Sequence, residues 1–393
     1  MRSVLSMRGS AHAPLALAAI AAVAIIASDN SSAQSSRRAR IESAPAAPSL
    51  AEQINHNTVS IISGNLNATY LSIAYDLSAV LDQGNEFRVL PIVGKGGGQN
   101  IRDVRFLKGV DLGITQSNLL GYFKRSKELG PIDDKIVYIA RLFNEEMHLV
   151  VRADSGLDAI EQLAGKKVNF SDIGSGTQLS TRDIFDRLGI KVQEANMGQA
   201  DAFEALKRGE IAATILIAGK PAASMTKLRS AEGFRLLPVP YAKPLHEDYL
   251  PATLNPEDYP GMIEAGRPVE TVAVGAVLIA YNWPKESDRY RRIEKFVENF
   301  FPRLAEFQKA PRHAKWREAN LAAILPGWER FPAAEEWLMR NRAQASASAK
   351  TRDQFEKFVE EKGSRQSQAS LAADEREKLF QEFLKWSQAR ERR

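Results

Sequence analysis

Short apolar strands that alternate with glycine-rich loops and helices constrain the fold of this 393-residue chain most strongly. Thr58–Ser63 ends at a glycine and is followed by apolar residues at helical spacing up to Leu81. Phe87–Val93 opens into the glycine-rich loop 94–98, and after a short helix Val110–Thr115 forms a third strand. This order of elements predicts a parallel sheet with right-handed crossovers that is buried on both faces.

The same pattern starts again at Met147. Apolar strands are predicted at Met147–Arg152, Lys167–Phe170, Ile211–Ala218 and Val272–Ala280, with helices between them. We therefore expect an α/β protein of two lobes, in which the chain crosses near residue 145 and returns near 240. The predicted boundaries are 57–145 with 240–310 for the first lobe, 146–239 for the second lobe and 311–393 for a helical C-terminal extension.

The N-terminus predicts export. Arg2 and Arg8 precede the apolar run Ala13–Ala27, which is too short for a comfortable membrane span and typical of a secretory signal. We expect a signal peptide over residues 1–33, cleaved after Ala33, and a flexible leader over 34–56. An uncleaved membrane anchor is the alternative.

Composition and missing motifs argue against most enzyme classes. The chain has no cysteine, which excludes disulfides, thiol nucleophiles and zinc-thiolate sites, and its net charge is only +5. Loop 94–98 lacks the ending of a phosphate-binding loop, and Ile173 and Thr177 stand where a nucleophile elbow around Ser175 needs glycine. The adjacent Glu145 and Glu146 are interpreted as a solvated pair rather than as a general base. We expect no catalytic site, metal or cofactor, and no nucleic-acid partner, because the basic residues are spread along the chain.

Three loops that follow strands and precede helices are the candidate binding elements: 63–69, 96–100 and 174–177. In open α/β sheets ligands collect at the carboxyl ends of strands, where helix N-termini present unpaired backbone N–H groups to anions. A single loop of this kind is better explained by a glycine turn and a helix cap. Three such loops, divided between two lobes, favour a ligand in the cleft.

These loops resemble those of the TAXI family of solute receptors for TRAP transporters. The resemblance covers roughly residues 57–300. Its motifs are the turn Ser63–Tyr70, the run Gly96–Ile101, the strand end Val110–Ser117, the step Gln162–Val168, the intact Gly-Ser-Gly-Thr at 174–177 and the turn Ala218–Pro221.

The resemblance implies a periplasmic-binding-protein fold of the type II, or Venus-flytrap, kind. It also implies a periplasmic receptor that delivers a small anionic solute, a dicarboxylate or an acidic amino acid, to TRAP membrane subunits. Lys220 is the one formal positive charge among the residues that we expect to bind the solute. These residues are Asn65, Asn67, Thr69, Tyr70, Gly98, Gln99, Asn100, Gln116, Ser117, Ser175, Gly176, Thr177 and Lys220.

Two alternatives stay open at this point. The chain is either a transport receptor or a membrane-associated sensing or scaffold protein that uses the same fold to signal to a partner. The extension 311–393 ends in an apolar stripe at helical spacing, which either docks on the protein itself or binds a partner or a membrane surface. The stripe consists of Leu379, Phe380, Phe383, Leu384 and Trp386.

Overall fold

The computed structural model describes residues 48–66, 68–226 and 228–344. The predicted signal peptide, most of the predicted leader, Asn67 and the apolar stripe at 379–386 lie outside these ranges. Within them, no helix is both long enough and apolar enough to cross a membrane.

Strands and helices alternate along the described chain. The strands are β1 (Thr58–Ile62), β2 (Arg88–Ile92), β3 (Leu112–Gln116), β4 (Ile136–Arg152), β5 (Lys167–Asn169), β6 (Gln193–Ala195), β7 (Ala213–Ala218), β8 (Phe234–Leu236), β9 (Leu250–Leu254) and β10 (Val269–Tyr281). The α-helices are α1 (Leu50–His56), α2 (Thr69–Leu81), α3 (Gly97–Phe106), α4 (Leu119–Ser126), α5 (Gly176–Arg187), α6 (Gln199–Lys207), α7 (Asp288–Phe300) and α8 (Leu304–Phe307), and a further helix covers residues 332–344. Short 3₁₀ helices lie at Ile160–Leu163, Ser230–Glu232, Lys243–Leu245, Phe301–Arg303 and Ala314–Glu318.

The strands form one mixed sheet in the order β2-β1-β3-β10-β4-β7-β5-β6, with β8 beside β4 and β9 beside β10. The predicted parallel pairing of the first three strands is confirmed, and β5, β6 and β7 are also parallel. Between these two groups, β10 runs antiparallel to both β3 and β4. The sheet is therefore parallel at its two ends and antiparallel in the middle, because the chain returns through β10.

β4 is the strand that joins the two lobes. It has 17 residues, whereas the sequence predicted only its last six. Its first part pairs with β10 and its last part with β7, and Glu146 pairs with both neighbours. Glu145 and Glu146 lie where the partner of β4 changes from β10 to β7, and each is only 3% exposed. The interpretation of these residues as a solvated pair is wrong, because strands flank them on both sides.

Each lobe has an apolar core on both faces of the sheet, which confirms the predicted α/β class with two lobes. Ile61, Leu77 and Leu278 belong to a core of the first lobe. In the second lobe, Val168 packs together with Tyr249 and Val272, which the predicted boundaries placed in the first lobe. The division of the chain into folding units at those boundaries stays a prediction.

The first part of the predicted C-terminal extension is built into the first lobe. Trp316, Phe331 and Leu338 are buried in the same core as α2 and α7. The backbone N–H of Phe331 donates to the carbonyl of Tyr138 at 2.8 Å, so this segment covers an edge of β4. Of this extension the structure describes residues only as far as 344, and this part includes the 3₁₀ helix Ala314–Glu318 and the helix 332–344.

Candidate functional site

A cavity of about 490 Å³ lies between the two lobes, at the carboxyl ends of several strands. This position is where an open α/β sheet binds ligands, because the loops that connect strands to helices gather there. On the first-lobe side its wall includes the N-termini of α2 and α3, and on the second-lobe side the N-termini of α5 and α6. The volume suits a small organic molecule.

The first-lobe wall presents backbone N–H groups. Ala68 and Gly96, the residues that precede α2 and α3, make no side-chain cap with their helices. The first N–H groups of these helices therefore have no side-chain cap partner in the described chain, and the positive end of each helix dipole faces the cavity wall. Thr69, Tyr70 and Gly97 from these first turns all line the cavity.

The second-lobe wall is formed by the start of α5. Ser175 caps this helix by accepting a hydrogen bond from the backbone N–H of Gln178 at 3.1 Å. The hydroxyl of Thr177 accepts the backbone N–H of Ile217 at 3.0 Å, which ties the helix to β7. The hydroxyl of Thr177 also donates to the carbonyl of Ile217 at 3.3 Å, so the hydroxyl proton of Ser175 and the backbone of Gly176 and Thr177 are what remain for a ligand.

The two lobes are in direct contact around the cavity. The backbone N–H of Gln99 donates to the carbonyl of Gly174 at 3.0 Å, and the hydroxyl of Thr69 donates to the carbonyl of Gly219 at 3.3 Å. A Cβ atom on Gly97 would lie 2.1 Å from the Cα of Gly176, so only glycine fits there. The two lobes therefore touch at these three points.

A chain of buried hydrogen bonds crosses from the second lobe to the first behind the cavity wall. The hydroxyl of Ser180 donates to Oε1 of Gln116 at 2.6 Å, and Nε2 of Gln116 donates to Oε2 of Glu145 at 3.0 Å. The hydroxyl of Tyr70 donates to the same Oε2 at 2.5 Å. Gln116, Glu145 and Tyr70 all line the cavity, so this network fixes polar groups at its surface.

Burial controls the ionisation of this network. Loss of solvation is the main cause that raises the pKa of Glu145 to about 8, and the nearby Glu146 adds to the effect. The hydrogen bonds from Tyr70 and Gln116 oppose the shift without cancelling it. Burial likewise raises the pKa of Tyr70 well above its usual range. At neutral pH both groups are therefore mostly uncharged.

Glu146, next to Glu145, faces a different set of partners. Its Oε1 pairs with Nζ of Lys315 at 2.7 Å, and its Oε2 accepts the backbone N–H of Lys220 at 2.9 Å. Lys315 is only 2% exposed and also contacts Glu318 at 2.8 Å. The segment after residue 310 thus supplies the cation for a buried carboxylate at the junction of the lobes.

The structure brings together some of the predicted site residues and not others. Seven line the cavity: Asn65, Thr69, Tyr70, Gln116, Ser175, Gly176 and Thr177. Five lie outside its lining: Gly98, Gln99, Asn100, Ser117 and Lys220. Asn67 is outside the described residues.

Two of the residues outside the lining have clear structural partners. The side-chain amide of Asn100 donates to the carbonyls of Ser63 at 2.9 Å and Ile114 at 2.7 Å, which joins α3 to two strands. The ammonium of Lys220 contacts Asp258 at 2.8 Å and the carbonyl of Thr253 at 2.6 Å. Lys220 is therefore not the free positive charge that the sequence predicted for the cleft.

Sequence reasoning missed other residues of the cavity wall. Gln199 and Asp201 come from the start of α6, which follows β6. The loop between this strand and helix is of the same kind as the three candidate loops, so the sequence pattern could have indicated these two residues. Asp172 precedes Gly174 in a loop that was only partly selected. Glu145 carried no such signal, because it lies inside a long strand rather than after one.

Residues 61–334 match the model of the NMT1-like family. This match extends past residue 310, in agreement with the packing of the following segment on the first lobe. Several solved structures are similar at low identity and with TM-scores below 0.5. The periplasmic aliphatic sulphonate binding protein SsuA from Escherichia coli is 17% identical with a TM-score of 0.40, and the match covers 72% of this chain and 78% of that one. The periplasmic binding protein BugD is 14% identical with a TM-score of 0.42, over 74% of this chain and 96% of that one.

Proposed function

This chain belongs to the NMT1-like family, and we propose that it is an extracytoplasmic receptor that captures a small anionic solute and delivers it to a membrane transporter. The observation that carries the proposal is the cavity between two lobes in contact, with helix N-termini on both of its walls. Such a receptor closes on its solute because the solute binds the closed state more tightly than the open state.

The anionic character of the solute is supported by the helix N-termini of both lobes. Backbone N–H groups at the start of α2, α3 and α5 can hold carboxylate or similar oxygens without any formal positive charge. These N–H groups take the role that we predicted for the charge of Lys220. Lys95 lines the cavity on the first-lobe side and is exposed there, so it adds a solvated cation near the entrance.

The destination of the solute and the compartment rest on the sequence. The signal-like residues 1–33 support export to the periplasm, and the loop motifs that resemble the TAXI family support a TRAP transporter as the partner. The geometry supports binding rather than catalysis, because the polar groups of the wall are arranged to hold a solute.

A solute screen on the purified protein tests the proposal. Thermal unfolding is followed with C4 and C5 dicarboxylates, keto acids and amino acids, and hits are measured by calorimetry. We expect at least one of these classes to raise the unfolding temperature in a concentration-dependent way. A protein that responds to none of them would contradict the proposal.

A matched pair of variants shows whether a hit occupies this cavity. Ala223 lies on the cavity wall, and Ala164 is an exposed alanine of the same lobe outside it. We expect Ala223→Trp to abolish the response by filling the cavity and Ala164→Trp to keep it. Equal responses of the two variants would place the solute elsewhere.

A further inference from the structure

The two carboxyl oxygens of Glu145 are used unequally. Tyr70 and Gln116 both donate to Oε2, and no described group donates to Oε1. The residue lines the cavity although it is only 3% exposed. Glu145 is thus a buried carboxyl on the wall of the solute site with one oxygen left for a ligand.

No cation of the described chain bonds to Glu145. Lys315 is held by Glu146 and Glu318, and its charge lowers the pKa of Glu145 without cancelling the effect of burial. The other charged groups on the cavity wall are Lys95, Asp172 and Asp201, and Tyr70 is the titratable group that touches Glu145 directly. Without a cation of its own, a buried carboxyl keeps its proton, which agrees with its pKa of about 8.

The hydrogen bonds decide where this proton resides. Oε2 already accepts from the hydroxyl of Tyr70 and the amide of Gln116, so the proton of the neutral carboxyl belongs on Oε1. Neutral Glu145 is then a hydrogen-bond donor at the cavity surface. An ionised Glu145 would instead place a negative charge against an anionic solute.

We propose that neutral Glu145 donates a hydrogen bond from Oε1 to an acceptor oxygen of the solute, such as a carboxylate oxygen, so that at alkaline pH, where Glu145 is ionised before binding, the solute is captured together with one proton from solvent. This inference rests on the proposed function, since it concerns the same cavity. Glu145 then selects acceptor groups and rejects a bare ammonium at that position, because a neutral donor gives a cation no partner.

Calorimetry with two probes of similar length tests the proposal on the full chain. Succinate carries a carboxylate at both ends, and 4-aminobutyrate replaces one of them with an ammonium group. We expect succinate to bind more tightly, with its Kd rising about tenfold from pH 7 to pH 9 as Glu145 loses its proton. Titrations at pH 9 in buffers of different ionisation enthalpy should show uptake of close to one proton.

The variant Glu145→Gln keeps a hydrogen-bond donor at this position but removes the titratable proton. Glutamine offers an N–H donor that does not titrate, so we expect the ratio of the Kd values at pH 9 and pH 7 to fall to about one and the proton uptake to disappear. Glu161→Gln is the matched control, because Glu161 is an exposed carboxylate of the second lobe outside the cavity. It should keep the pH dependence of the wild type.

The outcomes distinguish this inference from the proposed function. Succinate that binds at pH 9 without proton uptake, or with the same uptake in Glu145→Gln, would overturn the role of Glu145 and leave the receptor function standing. Tighter binding of 4-aminobutyrate with proton release would assign the opposite, ionised role to Glu145 and also overturn it. Failure of every carboxylate in the wider screen would count against the receptor function itself.

Discussion

Gly97 and Gly176 meet across the two lobes so closely that a Cβ atom on the first would lie 2.1 Å from the Cα of the second. These glycines begin α3 and α5, whose N-termini form opposite walls of the cavity. The contact shows why the loop before α3 needs glycine at position 97, since a side chain there would hold the lobes apart. A Cβ atom on Gly176 would instead meet the side chain of Gln116 at 2.8 Å.

The variant Gly97→Ala should prevent this closure. We expect solute affinity to fall at least about tenfold, which corresponds to 1.4 kcal/mol of lost closure, and small-angle scattering to show a larger radius of gyration. Gly84→Ala is the control, because Gly84 also has a positive φ, of 64°, but has no atom within 4 Å of the added Cβ. If both variants close and bind alike, the glycine contact does not govern closure.

The variant Lys315→Met should destabilise the fold. It leaves Glu146 buried without its cation, and breaking a buried pair in this way typically costs about 3–5 kcal/mol. The double variant Lys315→Met/Glu146→Gln removes both charges and should recover most of this loss. Chemical denaturation measures the free energy of unfolding in each case.

Arg267→Met provides the comparison for that pair. Arg267 contacts Glu264 at 3.0 Å on the surface, with side chains 80% and 73% exposed. Solvent screens such a pair, so its loss should change stability little. A Lys315→Met protein as stable as Arg267→Met would show that the segment after residue 310 does not hold the junction of the lobes.

The stability of the protein should depend on pH through Glu145. Its pKa is about 8 in the folded protein, against an ordinary value of 4.5. Between these values the folded state binds a proton that the unfolded state does not, so this group's contribution to stability falls as pH rises, by about 1.4 kcal/mol per pH unit. Glu145→Gln should remove this slope between pH 5 and pH 8. Parallel stability curves for the variant and the wild type would contradict the assignment.

Asn100→Ala should act on the fold rather than directly on the solute. The amide joins α3 to the carbonyls of Ser63 and Ile114, and its loss leaves buried backbone acceptors unsatisfied. We expect a loss of roughly 2–4 kcal/mol in the free energy of unfolding, with succinate affinity of the folded fraction within about threefold of the wild type. A stable Asn100→Ala protein that no longer binds would instead support a direct role in the site.

Strand-to-helix loops were the part of the site that the sequence could indicate. Glycine and small polar residues after an apolar strand mark the carboxyl end of the strand wherever it lies in the sheet, and the loops around Thr69, Gly97 and Gly176 do line the cavity. The same rule predicts Asn100 as a site residue, and the family resemblance adds Lys220, but both side chains bond within the protein. Whether a side chain bonds within the protein or faces the cavity depends on residues distant in the sequence. A local sequence pattern contains no information about those residues.

The α/β class, the two lobes and the loops that carry the N–H groups could be predicted from the sequence, because apolar periodicity and glycine placement are local properties of the chain. Tertiary structure decided the rest. It placed Glu145 and Glu146 in one strand that passes through both lobes, and it brought Lys315 from 169 positions away to pair with one of them. Adjacent identical residues thus have different partners: Glu146 has an ion pair and Glu145 has only neutral hydrogen-bond donors, while burial raises the pKa of both.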